Sequence, residues 1–436
     1  MHLLKNVNQH SAAGRYSALW GYVAPNGREY AILGCYDGTA FIDITDSANI
    51  REVDFVPNTG TGSSNAWREM KFVGHYAYVV SELSQSGIQI MDLQYLPDSV
   101  RYVGKFNMTS HSSTHSISTD GTYLYLNGVN TSFVPTGGIA IVSLANPEVP
   151  VKIGQWATKY VHDCRIINDT IYASCINAGE INIINATNKA APVTVKTFQT
   201  VPNPFTHNSA RTVDGKYLFT TDETSSPNGK LKVWNIANLN NVTYVRNWLP
   251  TSISTAIVHN VEIYGNLAVI AHYTAGIRVL NIADPENPVE IGWYDTYPSS
   301  NSASFNGCWG VYMFPSGKIV GSDMQTGLYV VKVTSLTNAG STGVTVPEKY
   351  SLSQNYPNPF NPTTKINFSL PKSSNVSLKI HNMAGKEVAS VVNDRRDAGN
   401  YEVTFDAANY GLSSGTYFYT LTTNGFTETK KMMLIK

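Results

Sequence analysis

The chain has 436 residues, and its 31 Lys and Arg residues balance its 31 Asp and Glu residues, so the formal net charge is zero. Without excess positive charge there is no electrostatic footprint for nucleic acid or an anionic membrane, and we expect neither as a partner. Charged residues make up only 14%, whereas Gly (33) and Tyr (26) are abundant, as is typical of turn-rich β proteins. No run of about 18 apolar residues is present, so the sequence predicts no transmembrane segment.

The chain begins with an apolar segment, residues 3–8, of strand length and without a hairpin partner of its own. Seven copies of a four-strand unit follow at intervals of 45 to 52 residues, close to the period of about 40 to 50 residues of a propeller blade. The copy at residues 259–293 is the plainest, because β-branched and aromatic runs alternate there with turn sequences containing Gly, Asn and Pro. A His or Trp opens each copy: Trp20, Trp67, His115, His162, His207, His259 and Trp309.

The seventh copy lacks a fourth strand after residues 327–333, and the N-terminal segment is the natural candidate to complete its sheet. Such closure removes an exposed edge strand that would otherwise promote aggregation. The sequence therefore predicts an all-β fold, in which residues 1–334 form a seven-bladed β-propeller closed by the N-terminal strand.

Residues 335–349 are rich in Ser, Thr and Gly and are predicted to form a linker. Residues 350–436 contain six strand-like runs separated by Gly-containing turns, which favours a small immunoglobulin-like β-sandwich. The Pro cluster at 356–362 is incompatible with a central strand and predicts a rigid, extended entry to this domain.

The four cysteines permit disulfides without requiring them. Cys35 ends a second strand and Cys308 precedes a first strand in two blades that become neighbours on closure, so a bridge between them is geometrically feasible. The alternative is four buried free thiols. Cys164 and Cys175 lie on one hairpin but are offset from direct opposition, which disfavours a second bridge.

Residues 351–371, 377–388 and 398–436 resemble the C-terminal sorting domain of the bacterial type IX secretion system. The resemblance implies the type IX secretion machinery as a partner and a secreted or outer-membrane-surface location, as in Bacteroidota. The first ten residues do not resemble a signal peptide, so we expect an export leader to have been removed from this sequence.

The preceding repeats resemble the LVIVD-repeat proteins, in particular the choice-of-anchor B group. The residues that carry this resemblance include WGYV at 20–23, YVHDCRI at 160–166, and HNVEIYGNLAVIAHYTAGIRVLNI at 259–282. The likeness implies a propeller joined to a surface anchor, and it implies no particular reaction.

In a propeller the first strand of each blade lines the central channel and starts at the face where the second strand ends. The opening residues and the second-strand ends should therefore meet at one channel mouth, where we place the candidate ligand site. Its members are His115, His162, His207, His259, Glu82, Asp222, Glu223, His272 and Asp323. The candidate ligands for a divalent metal such as calcium or zinc are three members of this set, His162, His207 and His259, and also Asp163, which follows His162.

Three functions are compatible with the sequence, and we favour the first, with the other two as alternatives. The first is an extracellular binding module for a glycan, peptide or other small polar ligand. The second is a metal-assisted hydrolase or lyase acting on an extracellular polymer, although the sequence contains no recognised catalytic motif. The third is a structural surface-layer or adhesion component, in which the repeated histidines bond the backbone of the neighbouring blade and serve only to lock the blades together.

Overall fold

The computed structural model describes residues 1–10, 15–60, 67–224, 229–250, 253, 255–333, 349–355, 357–372, 374–396, 399–423 and 425–435. These residues form β-strands and short 3₁₀ helices, so the fold is all-β as predicted. The chain divides into two compact units, one of residues 1–314 and 318–336 and the other of residues 315–317 and 337–436. In the described residues, no helix has the length and apolar character needed to cross a membrane. The predicted linker, apart from Lys349, lies outside the described residues.

The first unit contains seven four-stranded sheets among its described residues, numbered here in chain order. Sheets 1 to 3 are built from β2 (Leu19–Val23), β3 (Glu29–Gly34), β4 (Gly38–Asp43), β5 (Arg51–Pro57), β6 (Arg68–Val73), β7 (Tyr76–Ser81), β8 (Ile88–Asp92), β9 (Arg101–Phe106), β10 (Ser116–Thr119), β11 (Tyr123–Asn127), β12 (Ile139–Ser143) and β13 (Val151–Trp156). Sheets 4 to 6 are built from β14 (Asp163–Ile167), β15 (Thr170–Cys175), β16 (Glu180–Asn185), β17 (Val193–Gln199), β18 (Thr206–Arg211), β19 (Tyr217–Asp222), β20 (Leu231–Asn235), β21 (Thr243–Trp248), β22 (Asn260–Tyr264), β23 (Leu267–Ala271), β24 (Ile277–Asn281) and β25 (Val289–Tyr294). Sheet 7 is built from β26 (Cys308–Met313), β27 (Lys318–Asp323), β28 (Gly327–Lys332) and the N-terminal strand β1 (His2–Val7).

Local sequence explains the repeated antiparallel meander. In sheet 6, for example, β22 and β23 are joined by Gly265 and Asn266, and Gly265 adopts φ 59°, a value that the tight turn of a hairpin requires. The central strand β24 is almost wholly buried because its side chains pack on both faces of the sheet. In sheets 1 to 6 the register shifts once between the third and fourth strands, a β-bulge that increases the twist of each sheet.

Hydrophobic packing links the sheets in order. A cluster of buried side chains lies between each pair of consecutive sheets, and a further cluster packs sheet 7 against sheet 1. The first strands contact one another in the same order, and β26 also contacts β2. The N-terminal strand pairs antiparallel with β28, from His2 opposite Lys332 to Val7 opposite Leu328. The contacts between first strands thus follow the chain order from sheet 1 to sheet 7 and include one between sheets 7 and 1.

The second unit contains two antiparallel sheets around one hydrophobic core. Ile366 and Phe368 of one sheet are buried in the same cluster as Leu378 and Tyr419 of the other. The three-stranded sheet has the order β29-β30-β33 and the four-stranded sheet has the order β32-β31-β34-β35. The strands are β29 (Ser351–Leu352), β30 (Thr363–Leu370), β31 (Ser374–His381), β32 (Glu387–Arg396), β33 (Gly399–Asp406), β34 (Gly415–Thr423) and β35 (Phe426–Leu434). The 3₁₀ helices among the described residues are Pro135–Gly137, Ile176–Ala178, Leu239–Asn241 and Ala407–Tyr410.

The candidate disulfide between Cys35 and Cys308 is not formed, and the alternative of four buried free thiols is the one observed. Cys35 packs in the cluster between sheets 7 and 1, whereas Cys308 packs in the cluster between sheets 6 and 7. Sheet 7 therefore separates the two thiols. Each sulfur instead lies 3.7 Å from a carbonyl oxygen two residues away along its own chain segment.

Candidate ligand and metal site

Four histidines, one from each of sheets 3 to 6, form a row that we call the imidazole row. His115, His162 and His259 directly precede the first strands of their sheets, and His207 is the second residue of β18. The ring centroids are 4.0 Å apart for His115 and His162, 4.3 Å for His162 and His207, and 4.3 Å for His207 and His259. The repeat position that the sequence singled out therefore places four imidazoles in mutual contact.

Tryptophans continue the row. The ring of Trp309 lies 5.0 Å from that of His259, and Trp67 lies 4.1 Å from Trp309. Trp20 does not occupy the equivalent position that we predicted, because the register of sheet 1 places Ser17 there, with its N–H bonded to the Gly34 carbonyl. The equivalent position in sheet 1 therefore lies three residues before Trp20.

Backbone carbonyls fix the orientation of two of these rings. His207 Nδ1 lies 3.2 Å from the carbonyl oxygen of His259, and His259 Nδ1 lies 2.5 Å from that of Trp309. Because a carbonyl can only accept, each Nδ1 carries the proton and each Nε2 presents a lone pair. Both Nε2 atoms face the Glu223 carboxylate, with His207 Nε2 3.5 Å from Oε2 and His259 Nε2 3.7 Å from Oε1.

Glu223 follows the second strand of sheet 5 and accepts a hydrogen bond from the Tyr273 hydroxyl. Burial raises the pKa of Glu223 to about 7, although the hydrogen bond from Tyr273 opposes this shift. Candidate ligand atoms of His162, His207 and Glu223 all lie within 4.8 Å of one another. Two imidazoles and one carboxylate therefore converge on a single point.

Burial also keeps most of the row uncharged. It lowers the pKa of His162 and His207 well below the usual value, and it lowers the pKa of His259 to about 3. His162 Nδ1 is buried without a hydrogen-bond partner among the described residues. At neutral pH these three rings are neutral bases, the form that binds metal ions.

His115 has a different electrostatic environment. Its Nδ1 lies 2.5 Å from Glu82 Oε1. Burial alone would lower the pKa of His115, but the hydrogen bond and charge of Glu82 outweigh that effect and raise it. His115 and Glu82 therefore form an internally balanced pair at one end of the row.

Three of the predicted mouth residues have other surroundings. Asp222 is buried in an ion pair with Lys232, 2.7 Å from Nζ. His272 is buried against Trp248, and in the described part of the chain neither of its ring nitrogens has a hydrogen-bond partner. Asp323 accepts two backbone N–H groups of the following turn, both at 2.9 Å. No described contact joins any of the three to the imidazole row.

Deeper along the first strands lies a group of five ionisable side chains that we call the charged layer: Glu69, Lys71, Asp163, Arg165 and Glu262. The Arg165 guanidinium forms an ion pair with Glu262 and lies 3.9 Å from Asp163. Asp163 also accepts a hydrogen bond of 2.5 Å from the Asn208 side chain. Asp163, predicted as a metal ligand, is thus engaged by two partners in this layer.

Sequence reasoning missed the charged layer and Tyr273. Charged residues at Glu69, Lys71, Arg165 and Glu262 within first strands were a usable signal, because strands that line a propeller channel seldom carry unpaired charge. Tyr273 follows a second strand, the position that identified Glu82 and Glu223, but a tyrosine there is not distinguished by sequence from one that packs in the core.

A small cavity lies between the imidazole row and the charged layer. Its volume is about 10 Å³, which is room for a single water molecule or ion. Its lining includes the four rings of the row, Trp67 and Trp309, with Glu69 and Asp163 on the side of the charged layer. A larger ligand would have to lie over the row rather than inside the cavity.

Comparison with known families agrees with both resemblances seen in the sequence. Residues 354–436 match the secretion system C-terminal sorting domain, and residues 257–296 match the LVIVD repeat. The chain therefore carries a type IX sorting domain, which implies export to the surface or the medium, and at least one LVIVD repeat. No curated protein sequence matches the chain.

The similar solved structures are propeller-like proteins of low sequence identity. U3-55K is 10% identical with a TM-score of 0.52, and the match covers 76% of this chain and 98% of that one. A putative 6-phosphogluconolactonase from Bacteroides uniformis is 11% identical with a TM-score of 0.50, covering 73% and 97%. The extracellular domain of the putative one component system BT4673 from B. thetaiotaomicron is 12% identical with a TM-score of 0.50, covering 100% and 60%. At these identities the likeness concerns the fold alone.

Proposed function

We propose that the seven sheets form a seven-bladed β-propeller closed by the N-terminal strand. The cyclic order of contacts between first strands and the pairing of β1 with β28 support this arrangement. The boundaries predicted from sequence complete the proposal: propeller at 1–334, linker at 335–349 and sorting domain at 350–436. The division of the chain into two compact units near residue 336 supports the first of these boundaries.

We further propose that this exported propeller is an extracellular binding module whose ligand site is the imidazole row with Glu223. One observation carries this proposal. Lone pairs on His207 and His259 converge on Glu223, so in its ionised form hydrogen-bond acceptors face one another, and among the described residues the Tyr273 hydroxyl is the donor that reaches the carboxylate. A ligand that supplies positive charge or N–H and O–H donors would satisfy these groups, since buried acceptors are costly when they lack a partner.

A purely structural role for the histidines accounts for less of the geometry. Bonds from Nδ1 to the neighbouring sheet explain how His207 and His259 lock adjacent sheets together. They do not explain why both Nε2 atoms face one carboxylate, nor why His162 Nδ1 is buried without a partner in the described region. The binding function accounts for both features.

The test uses the full chain and defined arrays of soluble oligosaccharides and short peptides. The variant His207→Gln/Glu223→Gln removes the converging groups with little change in volume. The control His2→Ala removes an exposed histidine far along the chain from the row. We expect at least one ligand to bind the wild type and the control, with affinity reduced at least tenfold in the double variant. Equal binding by all three proteins, or no binding to any ligand, would contradict this site as the binding site.

A further inference from the structure

We infer that the ligand site holds one divalent transition-metal ion of the zinc class, bound by His162, His207 and Glu223 with His259 beside it. This inference rests on the proposed function, because it names the class of ligand that the same site binds. It differs from the set predicted by sequence in one respect: the carboxylate ligand is Glu223, not Asp163.

The spacing of the donor atoms fits such an ion. His207 Nε2 and Glu223 Oε2 are 3.5 Å apart, which is too long for a hydrogen bond between them. Two ligands at about 2.1 Å from a tetrahedral metal ion are separated by about 3.4 Å. The candidate ligand atoms of the three residues lie within 4.8 Å, so small rotations of the side chains suffice to close the coordination shell.

The ligands are held by a second shell of the kind found around metal centres. Nδ1 of the ligand His207 donates to the His259 carbonyl, and Nδ1 of the neighbouring His259 donates to the Trp309 carbonyl, which fixes the tautomer of both rings and directs their Nε2 atoms toward Glu223. The Tyr273 hydroxyl donates to Glu223 and so restrains the carboxylate. The lone pairs are positioned before any ion arrives, which reduces the entropy lost on binding.

The small cavity beside the row is not the place of the proposed ion, because its lining includes His162 and His207 but not Glu223. The ion instead lies where Nε2 of His207 faces the Glu223 carboxylate. With three protein ligands, a tetrahedral ion keeps one position for His259, for water or for a polar group of an extracellular ligand.

The donor set selects the class of metal. Calcium and magnesium prefer oxygen ligands, and the site offers two imidazole nitrogens for each carboxylate. Imidazole suits zinc, copper, nickel and cobalt, and in a tetrahedral mixture with carboxylate it is typical of zinc. Of the two metals considered from the sequence, zinc is therefore the one that this geometry favours.

The experiment measures metal binding by the full chain. The protein is stripped with EDTA, exchanged into chelator-free buffer and titrated with ZnCl₂ by calorimetry. A parallel titration with CoCl₂ reports geometry from the intensity of the visible absorption bands. We expect one equivalent of zinc per chain and an intense, tetrahedral cobalt spectrum.

Three single variants identify the ligands: His162→Gln, His207→Gln and Glu223→Gln, with His2→Ala as the matched control. Each of the three should weaken zinc binding at least 100-fold, and the control should bind as the wild type does. Using three variants, each checked by its thermal unfolding, keeps the test valid if one of them fails to fold. Saturable zinc binding that is unchanged in all folded variants would place the metal elsewhere and overturn the inference.

The inference and the proposed function fail separately. If no zinc binds, but oligosaccharide or peptide binding still depends on His207 and Glu223, the metal inference is wrong and the binding site stands. If neither zinc nor any member of the arrays depends on these residues, both are wrong. If zinc binding depends on them, the ligand class is identified.

Discussion

The imidazole row and the charged layer are neighbours in the centre of the first unit, yet their polar groups are satisfied in different ways. In the charged layer Arg165 pairs with Glu262 and Asp163, and Glu69 accepts the N–H of Ile117. In the row, two neutral imidazoles present lone pairs to the Glu223 carboxylate. Acids matched with cations hold a structure together, whereas converging acceptors provide a place for a cation from outside.

We therefore expect the residues of the charged layer to contribute to stability and those of the imidazole row to contribute to ligand binding. Substitutions in the charged layer should cost stability and leave the ligand preference unchanged in protein that folds. Substitutions in the row should reduce binding with smaller effects on folding. The following predictions test this separation, beginning with the largest effect.

Replacing Arg165 by Met should destabilise the protein most. The change leaves Glu262 and Asp163 buried without their shared cation, and removal of one partner from a buried pair typically costs about 3–5 kcal/mol. Chemical denaturation of Arg165→Met and wild type measures the difference in the free energy of unfolding. Arg28→Met, which breaks a more exposed pair with Asp43, should cost clearly less, because solvent screens the charge of Arg28. Equal effects of the two substitutions would refute a structural role specific to the charged layer.

His272 should make stability depend on pH. Burial, helped by the charge of Arg278, lowers the pKa of His272 to about 3 in the folded protein, below the usual value of 6.5. Between these two pKa values the unfolded chain binds a proton at His272 that the folded protein does not bind. The contribution of the neutral His272 to the free energy of unfolding is therefore complete above pH 6.5 and is lost as the pH falls. From pH 7.5 to 4.5 the wild type should lose about 3 kcal/mol more than His272→Leu.

Denaturation curves at the two pH values, with His2→Leu as the control, measure this difference. His2 is exposed, so its replacement should leave the pH dependence of the wild type unchanged. A His272→Leu variant that loses as much stability on acidification as the wild type would show that His272 does not remain neutral in the fold.

Tyr273→Phe should give the smallest of these effects and should act on binding rather than on folding. Loss of the hydroxyl removes the restraint on Glu223, and loss of such second-shell partners typically weakens metal binding about 10- to 100-fold. Zinc calorimetry measures the change. Tyr217→Phe removes a comparable hydroxyl bonded at 2.6 Å to Glu286, a surface contact, and should bind zinc as the wild type does. Equal zinc affinity in Tyr273→Phe and wild type would exclude Tyr273 from the site.

Much of this architecture could be predicted from sequence because it repeats. A His or Trp at a recurring position identified the imidazole row, and the end of a second strand identified Glu82 and Glu223. The same rule also selected Asp222, His272 and Asp323, whose side chains have other surroundings. Position along a strand fixes the end of the sheet at which a residue lies, but not the direction of its side chain.

The remaining features depend on contacts between residues of different sheets, which the residue pattern within one strand does not specify. A register difference in sheet 1 moved Trp20 out of its expected place. Cys35 and Cys308 lie on opposite sides of sheet 7, although the chain topology makes their sheets neighbours. The choice of Glu223 over Asp163 as the carboxylate near the rings depends on Asn208 and Arg165, which engage Asp163 from other sheets.

The most direct test is anomalous X-ray scattering from crystals of the full chain grown with ZnCl₂, recorded on both sides of the zinc absorption edge. The account predicts a single strong peak per chain, within bonding distance of His162, His207 and Glu223. Absence of any peak there, or a peak only at other residues, would contradict it.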